Sequence, residues 1–213
     1  MSVASASAFT LPALPAALPQ RAGDRRQFGQ LAGAGLALTL AEAAIAHPGV
    51  LVVVTADTQS ANRLEDELAF FLGGRRPLLH FSDWETLPYD QFSPHQDIVS
   101  ARLRTLATLP GLTQGVLIVP VGTLAHRIAP RGWLGGRSFS LGVKQKLDSN
   151  EFRRRLEAAG YTAVDTVYEH GEFAVRGSLI DLFPMGTEFP LRIELFDDEI
   201  DTQRRFDVDS QRT

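Results

Sequence analysis

The segment Gln30-Leu31-Ala32-Gly33-Ala34-Gly35-Leu36-Ala37 stands where a loop would open a helix, the place from which a phosphate-binding loop works. Such a loop needs glycines that let the backbone approach, a Lys on the β/γ-phosphates and a hydroxyl for magnesium. Here Gln30 replaces the first glycine, Leu36 the lysine and Ala37 the hydroxyl residue, while Gly33 and Gly35 keep the small-residue texture. Leucine cannot neutralise a triphosphate and alanine cannot ligate a metal. The segment therefore reads as an ordinary helix start or as a degenerate, non-binding phosphate loop. In FSDWETLPYDQFSPHQD, His95 lies near Asp90 and Asp97. The stretch is interrupted by proline and has no second histidine at helical spacing, so it reads as a structural loop, not as a metal or acid–base centre. No nucleophile elbow and no paired histidine helix is present, and neither a catalytic residue nor a metal site is expected. Arg153-Arg154-Arg155, beside Glu151 and Glu157, reads as a solvated helical face.

One further constellation stands out. In Leu191–Phe196 (LRIELF), strand alternation puts Leu191, Ile193 and Leu195 on one face and Arg192, Glu194 and Phe196 on the other. A phenylalanine on the polar face has two readings. Either it ends the strand and folds under a neighbouring turn, or it is displayed with an arginine, the pairing most enriched in interface hot spots. Upstream, Arg176 precedes Gly177, where a bulge would re-aim its side chain.

The elements that must position these residues fall into two textures. Gln27–Ala46 reads as a helix, Leu51–Thr55 as a strand buried on both faces, and a helix carrying Ala61, Leu64, Leu68 and Phe71 is stopped by Gly73-Gly74. Leu78–Phe81, a helix near Ile98–Leu109 and Gly115–Val121 continue the alternation, which predicts parallel strands joined by right-handed crossovers. Only three such strands are visible, few for a stable parallel sheet, so this α/β domain is expected to be incomplete in this chain and to expose an apolar edge or face. Beyond Gly132, Gly135 and Gly136 comes an α+β pattern. Asp148 with Glu151 caps a helix ending at Gly160, and antiparallel strands are expected over 162–169, 172–183, 191–196 and 204–208. The expected organisation is a flexible leader over 1–24, an α/β domain over 25–136 and an α+β domain over 137–213.

Composition narrows the function. The chain has 213 residues, no cysteine and a formal net charge of −4. Disulfides, thiolate zinc sites and a cysteine nucleophile are excluded together. The acidic balance gives no general attraction to a phosphate backbone. The leader lacks an early Lys or Arg and is broken by Pro12, Pro15 and Pro19, so it is a poor signal peptide, and a cytoplasmic monomer is expected.

The runs DWETLPYD (83–90), FSPHQDI (92–98), GVLIVPV (115–121), EHGEFAVRGSLIDLFPMG (169–186) and FDDEIDTQRRFDVDSQRT (196–213) resemble the N-terminal region of the bacterial transcription-repair coupling factors. FAVRGSLIDLFP and LRIELFDDE are also similar, more weakly, to the excinuclease protein UvrB. The resemblance implies a degenerate P-loop-NTPase-like, UvrB-like parallel-sheet domain followed by a smaller α+β domain with an antiparallel sheet. It implies that the second domain binds the excinuclease protein UvrA through Arg176, Arg192 and Phe196, displayed as one exposed patch. It further implies that this chain holds no cofactor, ATP and magnesium serving only a downstream motor. RNA polymerase and DNA would be partners of that downstream part. A nucleotide-hydrolysing module is opposed by Gln30, Leu36 and Ala37, and a direct DNA-binding module by the acidic balance.

Overall fold

In the computed structural model, residues 18, 19, 21–87, 89–136 and 138–213 are described; residues 1–17 and 20 of the expected leader lie outside them. Contacts divide the chain into two units, one comprising the described residues up to His80 with Leu112–Val121, the other Phe81–Gly111 with Gly122–Thr213. This division differs from a break at residue 136, because the segment Phe81–Gly111 groups with the second unit.

The first unit contains α1 (Gly35–Ala46), β1 (Val50–Thr55), α2 (Thr58–Leu72) and β2 (Leu78–His80). Its last strand, β3 (Gly115–Pro120), follows α3 (Gln96–Thr108), which belongs to the second unit. The three strands are parallel in the order β1-β3-β2, as the alternation predicts. The first helix begins at Gly35, not at Gln27, since residues 27–32 are extended or irregular and exposed. α2 is capped at one end by the Asp57 side chain, which accepts from the Ser60 N–H at 2.7 Å. Gly73 ends it at φ +52, a left-handed conformation that glycine takes without steric cost. The last carbonyls of α1 are covered by Arg76, whose Nε and Nη2 donate to Ala44 and Ile45 at 3.2 and 2.9 Å. Small residues of α1 (Ala37, Ala41, Ala44) let it lie close to α2, and Leu64, Leu68 and Leu72 fill the layer over Val116 and Ile118. β3 is buried along its whole length. β1 is not buried on both faces as its composition suggested: Leu51 and Val53 pack on the core, while Val52 and Val54 are 54% and 50% exposed. An edge strand has one neighbour, and none of the described residues of the unit covers its outer face.

The second unit adds the short α4 (Arg131–Gly135) and α5 (Ser149–Ala158), then β4 (Thr162–Ala163), β5 (Glu172–Arg176), β6 (Leu179–Leu182), β7 (Leu191–Phe196) and β8 (Glu199–Arg205). The five strands form one sheet in chain order. It is mixed and not wholly antiparallel, because β4 runs parallel to β5. The expected long strand over 172–183 is a hairpin, with Arg176 opposite Leu179 and Gly177-Ser178 as a two-residue turn. Gly177 has φ +64 at the first turn position, which is the turn, not the bulge, that its sequence position suggested. The last strand lies at 199–205, ahead of the expected 204–208. One sheet face is covered by α5 through Phe152 and Leu156 over Phe173, Ile180, Leu182, Ile193 and Ile200. The opposite face carries a smaller cluster of Val167, Ala174, Phe183 and Phe206.

Candidate functional site

At the expected phosphate loop, Gln30 and Gly33 have φ +60 and +55 in the segment before α1, Gly35 begins the helix, Leu36 is 41% exposed and Ala37 is fully buried in the helix packing. A cavity of about 360 Å³ adjoins them, bounded by Gly33, Leu36, Leu40, Val53 and Val54 among others. Its wall at the position of a phosphate-neutralising lysine is therefore a leucine side chain. His95 serves as the N-cap of α3, its Nδ1 accepting from the Asp97 N–H at 3.3 Å. Asp90 accepts from the Leu87 N–H at 2.9 Å, and Asp97 reaches His170 Nδ1 at 2.7 Å. Asp90 thus stands apart in its own turn, while Asp97 lies between two histidines, its Oδ2 3.4 Å from His95 Nδ1 and its Oδ1 on His170.

The polar face of the second unit's sheet holds a connected cluster. Two-residue alternation along β5, β6 and β7 turns Phe173, Val175, Ile180, Leu182, Ile193 and Leu195 to the α5 core and leaves Ala174, Arg176, Asp181, Arg192 and Glu194 on the other side. The Gly177-Ser178 turn fixes the register, which sets Ala174 opposite Asp181 and Asp181 opposite Arg192. Asp181 is fully buried, yet its carboxylate is matched by two guanidinium groups. Arg192 grips it with both prongs, Nε to Oδ1 at 2.7 Å and Nη2 to Oδ2 at 2.9 Å. Arg176 donates from Nη2 to the same Oδ2. The hydrogen bond to Asp181 raises the Arg192 pKa above its ordinary value.

A bulge between Glu194 and Leu195 then changes the pairing of β7 with β8, so that Thr202 faces Glu194 and Ile200 faces Leu195, with Asp201 left over. Regular alternation would have put Ile200 on the polar face beside Thr202; the extra residue returns it to the core, where it is fully buried. Phe196 closes the hairpin opposite Glu199 and is 73% exposed. Along this face Arg176, Leu179 and Glu194 form a row across three strands, with Phe196 two residues further along β7. At about 4.8 Å between strands and 3.4 Å per residue, the Arg176 and Phe196 backbones are about 12 Å apart on one face.

The three residues expected as an exposed patch therefore differ from one another. Phe196 is displayed. Arg176 is half exposed, its side chain at 48%, while Arg192 is largely buried at 16%. Arg192 also donates from Nη1 to the Gln211 carbonyl at 3.0 Å and stacks 4.9 Å from the Phe206 ring. Gln211 in turn donates from Nε2 to the Val167 and Val208 carbonyls, so Arg192 ties the chain end 207–212 onto the sheet. Sequence reasoning missed Asp181, the residue on which both arginines converge. Its signal was an acid set between Ile180 and Leu182 in an otherwise apolar strand.

The family model described as the UvrB interaction domain matches residues 139–213. The chain is 52% identical over 196 residues, 92% of its length, to the transcription-repair-coupling factor of Escherichia coli (strain K12). It is 44% identical over the same share to that of Haemophilus influenzae, and 36% identical over 204 residues to that of Mycobacterium tuberculosis. It covers 17%, 17% and 16% of those proteins, about one sixth of their length. Over nearly all of its residues this chain thus matches the transcription-repair-coupling factors, and its residues 139–213, which hold the face just described, match the UvrB interaction domain.

Proposed function

We propose that this chain is the adaptor segment of a transcription-repair coupling factor and that it recruits UvrA to RNA polymerase stalled at DNA lesions. The carrying observation is Phe196, a large aromatic 73% exposed at a hairpin end on the same sheet face as Arg176. A globular fold stabilises such a ring by burying it unless a partner does so. The name of the matching domain family and the names of the relatives support UvrB-like docking to the same partner. In this reading the segment itself turns over no nucleotide and holds no cofactor. ATP, magnesium, DNA translocation and displacement of the polymerase belong to the remainder of the longer protein. The parallel-sheet unit is a degenerate relative of nucleotide-hydrolase domains, with Leu36 and Ala37 where charge and hydroxyl would act. Recruitment of a repair protein to transcribing polymerase places the segment in the cytoplasm. Among the described residues no helix is long and apolar enough to cross a membrane.

Titration of purified UvrA against the chain tests the proposal. Arg176→Ala and Phe196→Ala should each weaken binding by roughly thirtyfold, since anchor truncation costs about 2 kcal/mol and 1.4 kcal/mol is tenfold. Wild-type chain that does not bind, or variants that bind as well as wild type, would overturn it.

A further inference from the structure

We infer that Asp181 is a positioning residue of the UvrA-binding face, holding the Arg176 guanidinium so that its remaining N–H groups meet a carboxylate on the partner. The inference rests on the docking reading above. Its ground is the unequal use of the two arginines. Arg192 commits Nε, Nη1 and Nη2 to Asp181 and the Gln211 carbonyl, and is 16% exposed. Arg176 commits Nη2 to Asp181, and half of its side chain faces solvent. Arg192 is thus a strut that fixes Asp181, and Asp181 fixes Arg176.

An unrestrained arginine on a strand end samples many rotamers and loses that freedom on binding. A buried carboxylate holding one edge of the fork removes most of that loss before the partner arrives, and leaves the other edge in a fixed plane. A planar fork with a free edge fits a carboxylate better than a lone carbonyl, because two parallel N–H donors match two oxygens. On this face Arg176, Arg192 and Arg204 are balanced by Asp181, Glu194 and, opposite Phe196, Glu199, so the acid is selected by the free donors of Arg176 and not by a net charge. The Glu194 carboxylate accepts from the Thr202 hydroxyl at 3.0 Å, and this contact draws it toward β8, on the side of β7 opposite to the strands that carry Asp181 and Arg176. The partner surface should therefore present an acid close to an apolar pocket, the acid for Arg176 and the pocket for Phe196.

The experiment measures UvrA affinity and thermal unfolding for Asp181→Asn, Arg176→Ala, their double variant, and Phe196→Ala. Asp181→Asn keeps the shape and removes the charge, and should weaken binding about tenfold. The double variant should bind within about twofold of Arg176→Ala, because Asp181 acts only through Arg176, whereas adding Phe196→Ala to Asp181→Asn should multiply the two losses. A merely structural Asp181 would multiply its loss with Arg176→Ala as well, and that result, or an unchanged affinity for Asp181→Asn, overturns the assignment. If Asp181→Asn does not fold, Arg176→Lys carries the test. Lysine keeps the charge but cannot bridge Asp181 and a partner carboxylate as a fork, so about tenfold weaker binding is expected and unchanged affinity refutes it. Loss of the Phe196 effect would bring down the docking reading itself, and so is distinguishable from failure of Asp181 alone.

Discussion

Buried charge at this site separates residues that hold the fold from residues that face outward. Asp181 has no exposure, and removing Arg192 would leave its carboxylate with the half-exposed Arg176 alone. Breaking a buried pair typically costs about 3 to 5 kcal/mol because the surviving charge stays desolvated. Arg192→Ala should therefore lower the melting temperature markedly as well as weaken UvrA binding. Phe196→Ala should leave the melting temperature nearly unchanged, since the ring is 73% exposed, whereas Phe152→Ala in the α5 core should cost about 3 to 5 kcal/mol. Calorimetry on the three variants checks the contrast. Arg102 shows the same principle away from the Asp181 cluster. It is 2% exposed, lies 4.0 and 3.9 Å from the centroids of Phe81 and Trp84, and donates to the Ser82 carbonyl. Burial pushes its pKa down, with Asp83 acting against that shift.

At the scale of elements, local chemistry sets most boundaries. Asp148 accepts from the Glu151 N–H at 2.8 Å and Asp57 from the Ser60 N–H, so two helices start where an acid can satisfy their first free donors. The backbone hydrogen bond from Ser60 holds the Asp57 carboxyl below its ordinary pKa, and one from Ser210 does the same for Asp207. A carboxyl whose pKa is depressed on folding stabilises the fold above its unfolded pKa of about 4, and loses that contribution as pH falls through the lower folded value. Stability should thus decline below about pH 4. Asp57→Asn retains a side-chain acceptor for the cap but cannot titrate. It should match wild type near neutrality and show a shallower acid decline in pH-dependent urea unfolding.

Over the whole molecule, the two units differ in how completely they bury their sheets. β1 pairs on one side only and leaves Val52 and Val54 half exposed, whereas β5 and β6 have neighbours on both sides and lie over Phe152. Amide hydrogen exchange should accordingly be faster in Val50–Thr55 than in β5 and β6, and equal strong protection would contradict this. The same first unit holds the cavity at the start of α1, where Leu36 and Leu40 face Thr55, Ser60, Arg63 and Glu67, and the one cation among them, Arg63, is paired with Glu67 at 3.7 Å. ATP with magnesium should not raise the melting temperature of the chain. A ligand at one hundred times its dissociation constant would add about 2.7 kcal/mol, a shift readily seen in a thermal melt.

Features that depend on a few neighbouring residues are legible in the sequence alone: the Asp148 cap, the Gly73 stop, the apolar run of β3 and the parallel strands of the first sheet. Period-two alternation also shows that Arg192, Glu194 and Phe196 share a face. It cannot show which part of that face is covered. The chain end brought back by Gln211 covers Arg192, and the hairpin tip leaves Phe196 uncovered, although both lie on one strand with the same parity. Nor can alternation pair Asp181 with its arginines, because cross-strand partners depend on register. That register is set by a two-residue turn at Gly177-Ser178 and shifted by one residue between Glu194 and Leu195. Burial of β1 likewise depends on what lies beside it, and a β-branched strand has the same sequence whether one face or both are covered. Local backbone preference and periodicity are properties of the sequence; which charge meets which, and which apolar face finds cover, are decided by segments distant in the chain.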